Sequence, residues 1–302
     1  MNQEKLITIL GPTATGKSEL AIHLAGRLGS SVISGDAFQV YRGMDIGTAK
    51  VTKEESRGVT HYLVDCMDPM EPYSAAIFQE RARRYITEEN QKGRIPIVAG
   101  GTGLYIQGLL EGYAFSPKVG GRDKWYSLYK EKGKAGLIAA YRECSQDGPM
   151  PADPQRMIRN LELMDSGYGL VEERAPALVY EGPVIGITMD RLALYDRINK
   201  RVHQMIENGL REEVRSLLEK GIPEDAQSLK GIGYKEMIPV IHGERTLADA
   251  EILIAKNTRH FAKRQLTWYR RMPYIHWVER SEESSAWLKE AEAYIISWIR
   301  GE

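Results

Sequence analysis

The eight residues GPTATGKS, Gly11 to Ser18, constrain this chain more than any other stretch. They match G-x-x-x-x-G-K-[ST] in full. The apolar run KLITIL (5–10) precedes them and KSELAIHLAGRLG follows. There Leu20, Ala21, Leu24, Ala25 and Leu28 fall on one helical face, and Gly29 ends the helix. A strand feeding a glycine-rich loop into a helix N-terminus opens a doubly wound α/β sheet. The chemistry needs these residue types. Gly11 and Gly16 let backbone N–H groups turn toward phosphate oxygens, and the helix N-terminus adds a favourable field. Lys17 neutralises charge, and the Ser18 hydroxyl suits a Mg²⁺ shell. A di- or triphosphate follows from the motif, but the reaction does not. Whether the phosphate is transferred, or is only a handle on another group, stays open here.

Further along, SVISGD reads as a second strand ending at Asp36, and HYLVDCMDP as a third. A helix capped by Ser74 follows, then the buried strand of RIPIVAGG and the helix of TGLYIQGLLEG. From 116 to 182 the pattern is helical, without strands, until VIGITM (184–189) restores a strand. Helices are expected from there to the end. The expected fold is therefore α/β, a P-loop NTPase-like parallel sheet core (1–115 and 183–302, with C-terminal helices) carrying a helical insertion domain (116–182). The two cysteines have no metal-ligand spacing, which suits a reducing cytoplasm. The N-terminal apolar run is too short for a membrane span. A formal net charge of zero excludes a globally basic nucleic-acid binder, so any polyanion site must come from local charge segregation.

Asp36 ends its strand beside the phosphate loop, where open α/β sheets place their ligands. A carboxylate there could take a proton from an incoming nucleophile. Asp45 reads better as a turn residue, while Tyr41, Arg42 and Lys50 either line a cleft or cover a surface. The run GDAFQVYRGMDIGTAK (35–50), taken with GPTATGKS, HYLVDCMDP, YSAAIF and VAGGTGLYI, resembles the bacterial tRNA dimethylallyltransferases. DPQRMIRNLEL, KGIGYKE and KRQLTWYRR resemble the same family in the same order, from residue 8 to about 271.

The resemblance implies that the phosphate is handle and leaving group, and that a five-carbon allyl chain moves to the N6 amine of a tRNA adenosine. Dimethylallyl diphosphate would lie along Gly11, Pro12, Thr13, Ala14, Thr15, Gly16, Lys17 and Ser18, with Lys17 and Mg²⁺ on Ser18 stabilising the departing charge. Asp36 matches the proposed general base, and Thr102 a residue at the acceptor or reacting centre. Asp36, Ala37, Phe38, Gln39 and Thr102 match the segments that meet tRNA, as do Gln155, Arg156, Met157, Ile158 and Arg159, with Lys124 a weaker match. The family usually has Asp-Ser where this chain has Asp36-Ala37, so one hydroxyl is missing.

A folded tRNA must flip its adenosine into the pocket, and its anticodon stem-loop must be gripped. From Ile252 to Val278 there is no acidic residue, and Lys256, Arg259, Lys263 and Arg270 recur at helical spacings. That basic face fits phosphate binding, with Trp268 a candidate for stacking and Lys230, Tyr234 and Lys235 nearby in KGIGYKE. The helical insertion would clamp the stem from the other side. The expected protein is a cytoplasmic monomer with Mg²⁺ as cofactor and tRNA as partner. Two rivals share the loop: an ATP-dependent small-molecule kinase, and a prenyltransferase acting on free adenine nucleotides.

Overall fold

The computed structural model describes residues 3–115, 119–145, 150–168, 177–281 and 285–302. Backbone packing divides the chain into two units, Met1–Gly112 with Ala177–Glu302, and Tyr113–Pro176. The larger unit begins with β1 (Ile7–Leu10), α1 (Lys17–Leu28), β2 (Val32–Ser34), the single turn α2 (Lys53–Ser56), β3 (His61–Tyr62), α3 (Ala75–Gln91), β4 (Ile97–Gly100) and α4 (Gly103–Leu110). The smaller unit holds α5 (Arg122–Cys144) and α6 (Pro154–Asp165). The chain returns through β5 (Val184–Met189), α7 (Arg191–Glu207), α8 (Leu210–Glu219), α9 (Tyr234–Ile241), α10 (Leu247–Tyr269), β6 (His276–Arg280) and α11 (Ala286–Arg300).

The strands form one parallel sheet in the order β3-β2-β4-β1-β5-β6. β1 lies inside it, pairing Ile7 with Ile97 of β4 and Ile9 with Ile185 of β5. That explains why ITIL is apolar throughout: a strand covered on both faces has no polar face to show. Leu20, Ala21, Leu24 and Ala25 of α1 pack on this sheet with Trp287, Ala291 and Ile295 of α11. Gly29 closes α1 in the left-handed region, at φ 59°, and Ser74 caps α3 by accepting from the Ile77 N–H.

Three expectations are corrected. β3 has only two residues, because Leu63 and Asp65 take left-handed backbone conformations that end the pairing. The long helical region after residue 190 breaks at Gly209, φ 94°, into α7 and α8. Residues 276–280, read as helical, form β6, an edge strand paired only with β5. The turn at Arg271–Pro273 stops α10, and Val278 is buried on the sheet while Glu279 faces out.

In the smaller unit, Trp125, Leu137 and Tyr141 of α5 pack with Met157, Ile158 and Leu161 of α6. Asp153 caps α6 and Pro154 occupies its first turn, where no N–H is needed. Gly133, at φ 60°, breaks the regular path of α5. The boundary expected at 116 falls on residues 116–118, outside the described residues.

Candidate active site

The loop 11–16 leaves the C-terminal end of β1, between its neighbours in the sheet, and turns into α1. Two positions need glycine. Gly11 has φ 148°, and a Cβ there would come 2.5 Å from the Ile187 carbonyl oxygen. Gly16 has φ 95° and lies against the Arg280 guanidinium. Ala14 also takes a left-handed conformation, φ 66°, at a cost of about 1 kcal/mol. The loop is held by its own side chains: Thr15 Oγ1 and Lys17 Nζ both donate to the Pro12 carbonyl, at 2.9 and 2.6 Å.

Lys17 is half-buried, and its ammonium is lowered to about 7, by burial first and then by the Arg201 guanidinium, with the Asp36 carboxylate opposing. Such a lysine is poised to gain a proton when an anion arrives. Ser18 is exposed in the first turn of α1.

Asp36 follows β2. Its Oδ1 accepts from the Phe38 and Gln39 N–H groups, at 2.8 and 3.3 Å, while Oδ2 accepts nothing among the described residues. The turn carrying it is tied to the end of β4. Thr102 Oγ1 accepts from the Ala37 N–H at 3.1 Å, and the Thr102 N–H donates to the Gly35 carbonyl at 3.2 Å. Gly100 permits this closeness, since a Cβ there would meet the Gly35 carbonyl at 2.3 Å. Thr102 therefore braces the Asp36 turn, with its hydroxyl hydrogen still available to a ligand.

Lys17, Ser18 and Thr13 line one cavity with Asp36 and Gln39. Three further lining residues were not picked out from sequence: Arg201 of α7, and Phe261 and Gln265 of α10. Gln265 is buried and bridges two loops. Its Oε1 accepts from the Thr13 N–H at 2.9 Å, and its Nε2 donates to the Gly101 carbonyl at 2.8 Å. A Cβ on Gly101 would come 2.4 Å from that Nε2. Arg197 donates to the Ala14 carbonyl at 2.9 Å, and Arg201 reaches Thr13 Oγ1 at 3.5 Å. The arrangement can hold a polyphosphate on a cationic wall and present a carboxylate to whatever reacts beside it.

The model of the IPP transferase family matches residues 39–272. The chain belongs to that family. The match begins after the phosphate loop, so the loop and the family signature are separate observations. Among known relatives, the tRNA dimethylallyltransferase of Carboxydothermus hydrogenoformans is 44% identical, covering 93% of this chain and 94% of its own. That of Bacillus anthracis is 42% identical over 100% and 97%. A crystal structure of the tRNA isopentenylpyrophosphate transferase of Bacillus halodurans superposes with a TM-score of 0.74 at 40% identity, over 98% of this chain and 96% of its own. A eukaryotic dimethylallyltransferase acting on tRNA shares the fold at 24% identity, with a TM-score of 0.81.

The other residues marked by resemblance to the family divide by environment. Gln155 and Arg156 are exposed, with Gln155 accepting from Arg122. Arg159 is half-buried against the carboxylate of Glu162. The side chains of Met157 and Ile158 are buried in the core of the smaller unit. Lys124 pairs with Asp165 at 2.9 Å and covers the Trp125 ring. In the larger unit Lys256, Lys263, Arg264, Arg270 and Arg271 are exposed, while Arg259 donates to Asn199 at 2.6 Å. Trp268, the candidate for stacking, is half-buried and packs on Gly103, where a Cβ would come 2.7 Å from its ring. Tyr234 is buried and bonded to Glu213, so it offers no surface, whereas Lys230 and Lys235 are exposed. Lys50 is buried in an ion pair with Asp45 and Asp65, and Tyr41 is core. Among the described residues no helix is long and apolar enough to cross a membrane.

Proposed function

We propose that this protein transfers the dimethylallyl group from dimethylallyl diphosphate to N6 of the adenosine on the 3′ side of the anticodon, in tRNAs reading U-initial codons, and releases diphosphate. The observation that carries the reading is one cavity with Lys17 on one side and the uncommitted Oδ2 of Asp36 on another. A kinase would use the same cradle. The near full-length relatives named above are tRNA transferases, and this favours allyl transfer over phosphoryl transfer.

The diphosphate lies on the 13–18 loop at the positive end of α1, with Lys17 and Arg201 supplying charge where the leaving group develops it. The N6 amine attacks the first allyl carbon, the carbon–oxygen bond breaks toward diphosphate, and the N6 proton passes to Asp36. Thr102 holds the Asp36 turn against the end of β4, and the Gln39 N–H donates to the Asp36 carboxylate. Ser18 fits a Mg²⁺ ligand by its chemistry: its hydroxyl is exposed and bonded to nothing among the described residues. No cluster of three or more His, Cys, Asp or Glu competes for the ion among those residues, so the other ligands would be donor oxygens and water. When bound, Mg²⁺ supplies neutralisation of the diphosphate charge.

Lys256, Lys263 and Arg270 are suited to tRNA phosphates, and the smaller unit to clamping the stem. Cytoplasmic residence as a monomer completes the reading, with Cys66 and Cys144 both unpaired as a reducing compartment favours. The test is incubation with Mg²⁺, allyl-labelled dimethylallyl diphosphate, and either unmodified tRNA or AMP. Label at N6 of the tRNA adenosine, lost with Asp36→Ala, supports the reading. Label on AMP alone, or ATP consumption without transfer, overturns it.

A further inference from the structure

We propose that Glu213 is a positioning residue for the acceptor side of the cavity: its carboxylate fixes the loop 45–49, and through that loop the Gln39 side chain beside Asp36. This rests on the allyl-transfer reading above.

Glu213 lies in α8 and reaches across to a loop far away in sequence. Its Oε2 accepts from the Asp45 and Ile46 N–H groups, both at 2.8 Å. Its Oε1 accepts from the Gly47 N–H at 3.1 Å and from the Tyr234 hydroxyl at 2.7 Å. Three consecutive amides and a phenol thus converge on one carboxylate, and all four are donors. Only a group with two acceptor oxygens satisfies them; an amide would turn its NH₂ toward two of them. Tyr234 is buried, and its hydroxyl titrates well above its usual range, because of burial first and then the Glu213 charge, so it stays a donor. Its ring leaves no room for a side chain at Gly47, where a Cβ would come 2.5 Å from Cε2.

The fixed loop continues into the cavity. Thr48 Oγ1 donates to the Met44 carbonyl at 2.6 Å, and Ala49 takes a left-handed conformation, φ 45°. The Thr48 and Ala49 carbonyls accept from Gln39 Nε2 at 3.3 and 3.5 Å, and Gln39 Oε1 accepts from Ser34 at 3.0 Å. The Gln39 N–H in turn donates to Asp36. Thr48, Ala49, Gln39 and Asp36 all line the cavity. Among the described residues no hydrogen bond joins 44–50 to the phosphate loop 11–18. The clamp therefore governs the acceptor wall and leaves the donor wall alone.

The experiment compares wild type with E213Q, E213D and Y234F in steady-state transfer to tRNA and in amide hydrogen exchange of the unliganded protein. In E213Q we expect exchange at 45–47 to accelerate and kcat/KM for tRNA to fall, each roughly 10- to 100-fold, while KM for dimethylallyl diphosphate stays put. E213D should recover part of the loss, and Y234F should show the same pattern more weakly; it also serves if E213Q does not fold. Equal loss for both substrates, or a lower melting temperature with both KM values unchanged, would mean a merely structural role and overturn the proposal. Unchanged exchange at 45–47 would also overturn it. A wild-type protein that transfers no label to tRNA would instead overturn the functional reading; a clamp already seen in the exchange data would then govern some other acceptor.

Discussion

Lys17 makes the donor site a proton-linked site. In the unliganded protein its ammonium sits at about 7, from burial and from Arg201. A bound diphosphate replaces the water that burial removed and adds negative charge, so Lys17 is held protonated in the complex. Binding above pH 7 must therefore take up a proton. The apparent Kd is multiplied by 1 + 10^(pH − pKa), which is about 11 at pH 8 and about 100 at pH 9 for this lysine. Proton uptake at pH 8 is about 0.9 per donor bound by the same relation. Titration calorimetry between pH 7.5 and 9, in two buffers of different ionisation enthalpy, reads both quantities. That window lies above the donor's own last phosphate ionisation, near 6. Lys17→Arg stays charged throughout and should flatten the profile. The stability sign follows from the same lysine. Its folded value lies below its unfolded one, so the unfolded chain binds more protons between about 7 and 10.5. Its contribution to unliganded stability therefore rises with pH across that range, and donor removes the rise. A flat affinity with no proton uptake at pH 8 would refute the placement of Lys17 as a desolvated lysine.

Asp36→Asn keeps an oxygen to accept from Phe38 and Gln39, so donor affinity should hold while single-turnover transfer falls roughly 10²- to 10⁴-fold; comparable loss of donor binding would place Asp36 in the wrong role. Gln265→Ala strands the Thr13 N–H and the Gly101 carbonyl, and should lower the urea-unfolding free energy by about 2 to 4 kcal/mol; an unchanged midpoint would remove the bridge from the argument. Chelation of Mg²⁺ should suppress transfer, and Ser18→Ala should raise the Mg²⁺ concentration giving half-maximal rate; an unchanged metal requirement would exclude Ser18 from the metal shell.

The parts of the site that were legible in sequence are those built by consecutive residues. A loop between strand and helix, and an aspartate at the end of the next strand, are local patterns, and the structure puts them side by side because β1 and β2 have parallel C-terminal ends. Arg197, Arg201 and Gln265 were not legible as site residues. They come from α7 and α10, and only the packing of those helices over the loop gives them partners. On a helical wheel Gln265 lies within a strongly basic stretch and looks like one more polar residue. The same stretch hides the packing of Trp268 on Gly103, since an aromatic among arginines is as compatible with packing as with stacking on a base. β6 was missed because an edge strand needs only one apolar anchor, Val278, and HWVER offers little else.

Allyl transfer needs two walls at a fixed separation: one for the leaving group and one for the proton acceptor. Here they are carried by different strand ends, the loop after β1 and the turn after β2. β4 lies between those strands, so nothing in the sheet bonds the two loops directly. The structure closes the gap with polar side chains. Thr102 joins the Asp36 turn to the end of β4, and Gln265 joins that same end to Thr13. Each link is a hydrogen bond to backbone, which fixes position without adding charge to the cavity. An apolar residue at 265 would bury as much surface but set no distance between the loops. This accounts for a buried glutamine where a leucine would pack: small displacements between reacting groups cost large factors in rate, so the site needs a fixed spacing more than it needs added burial.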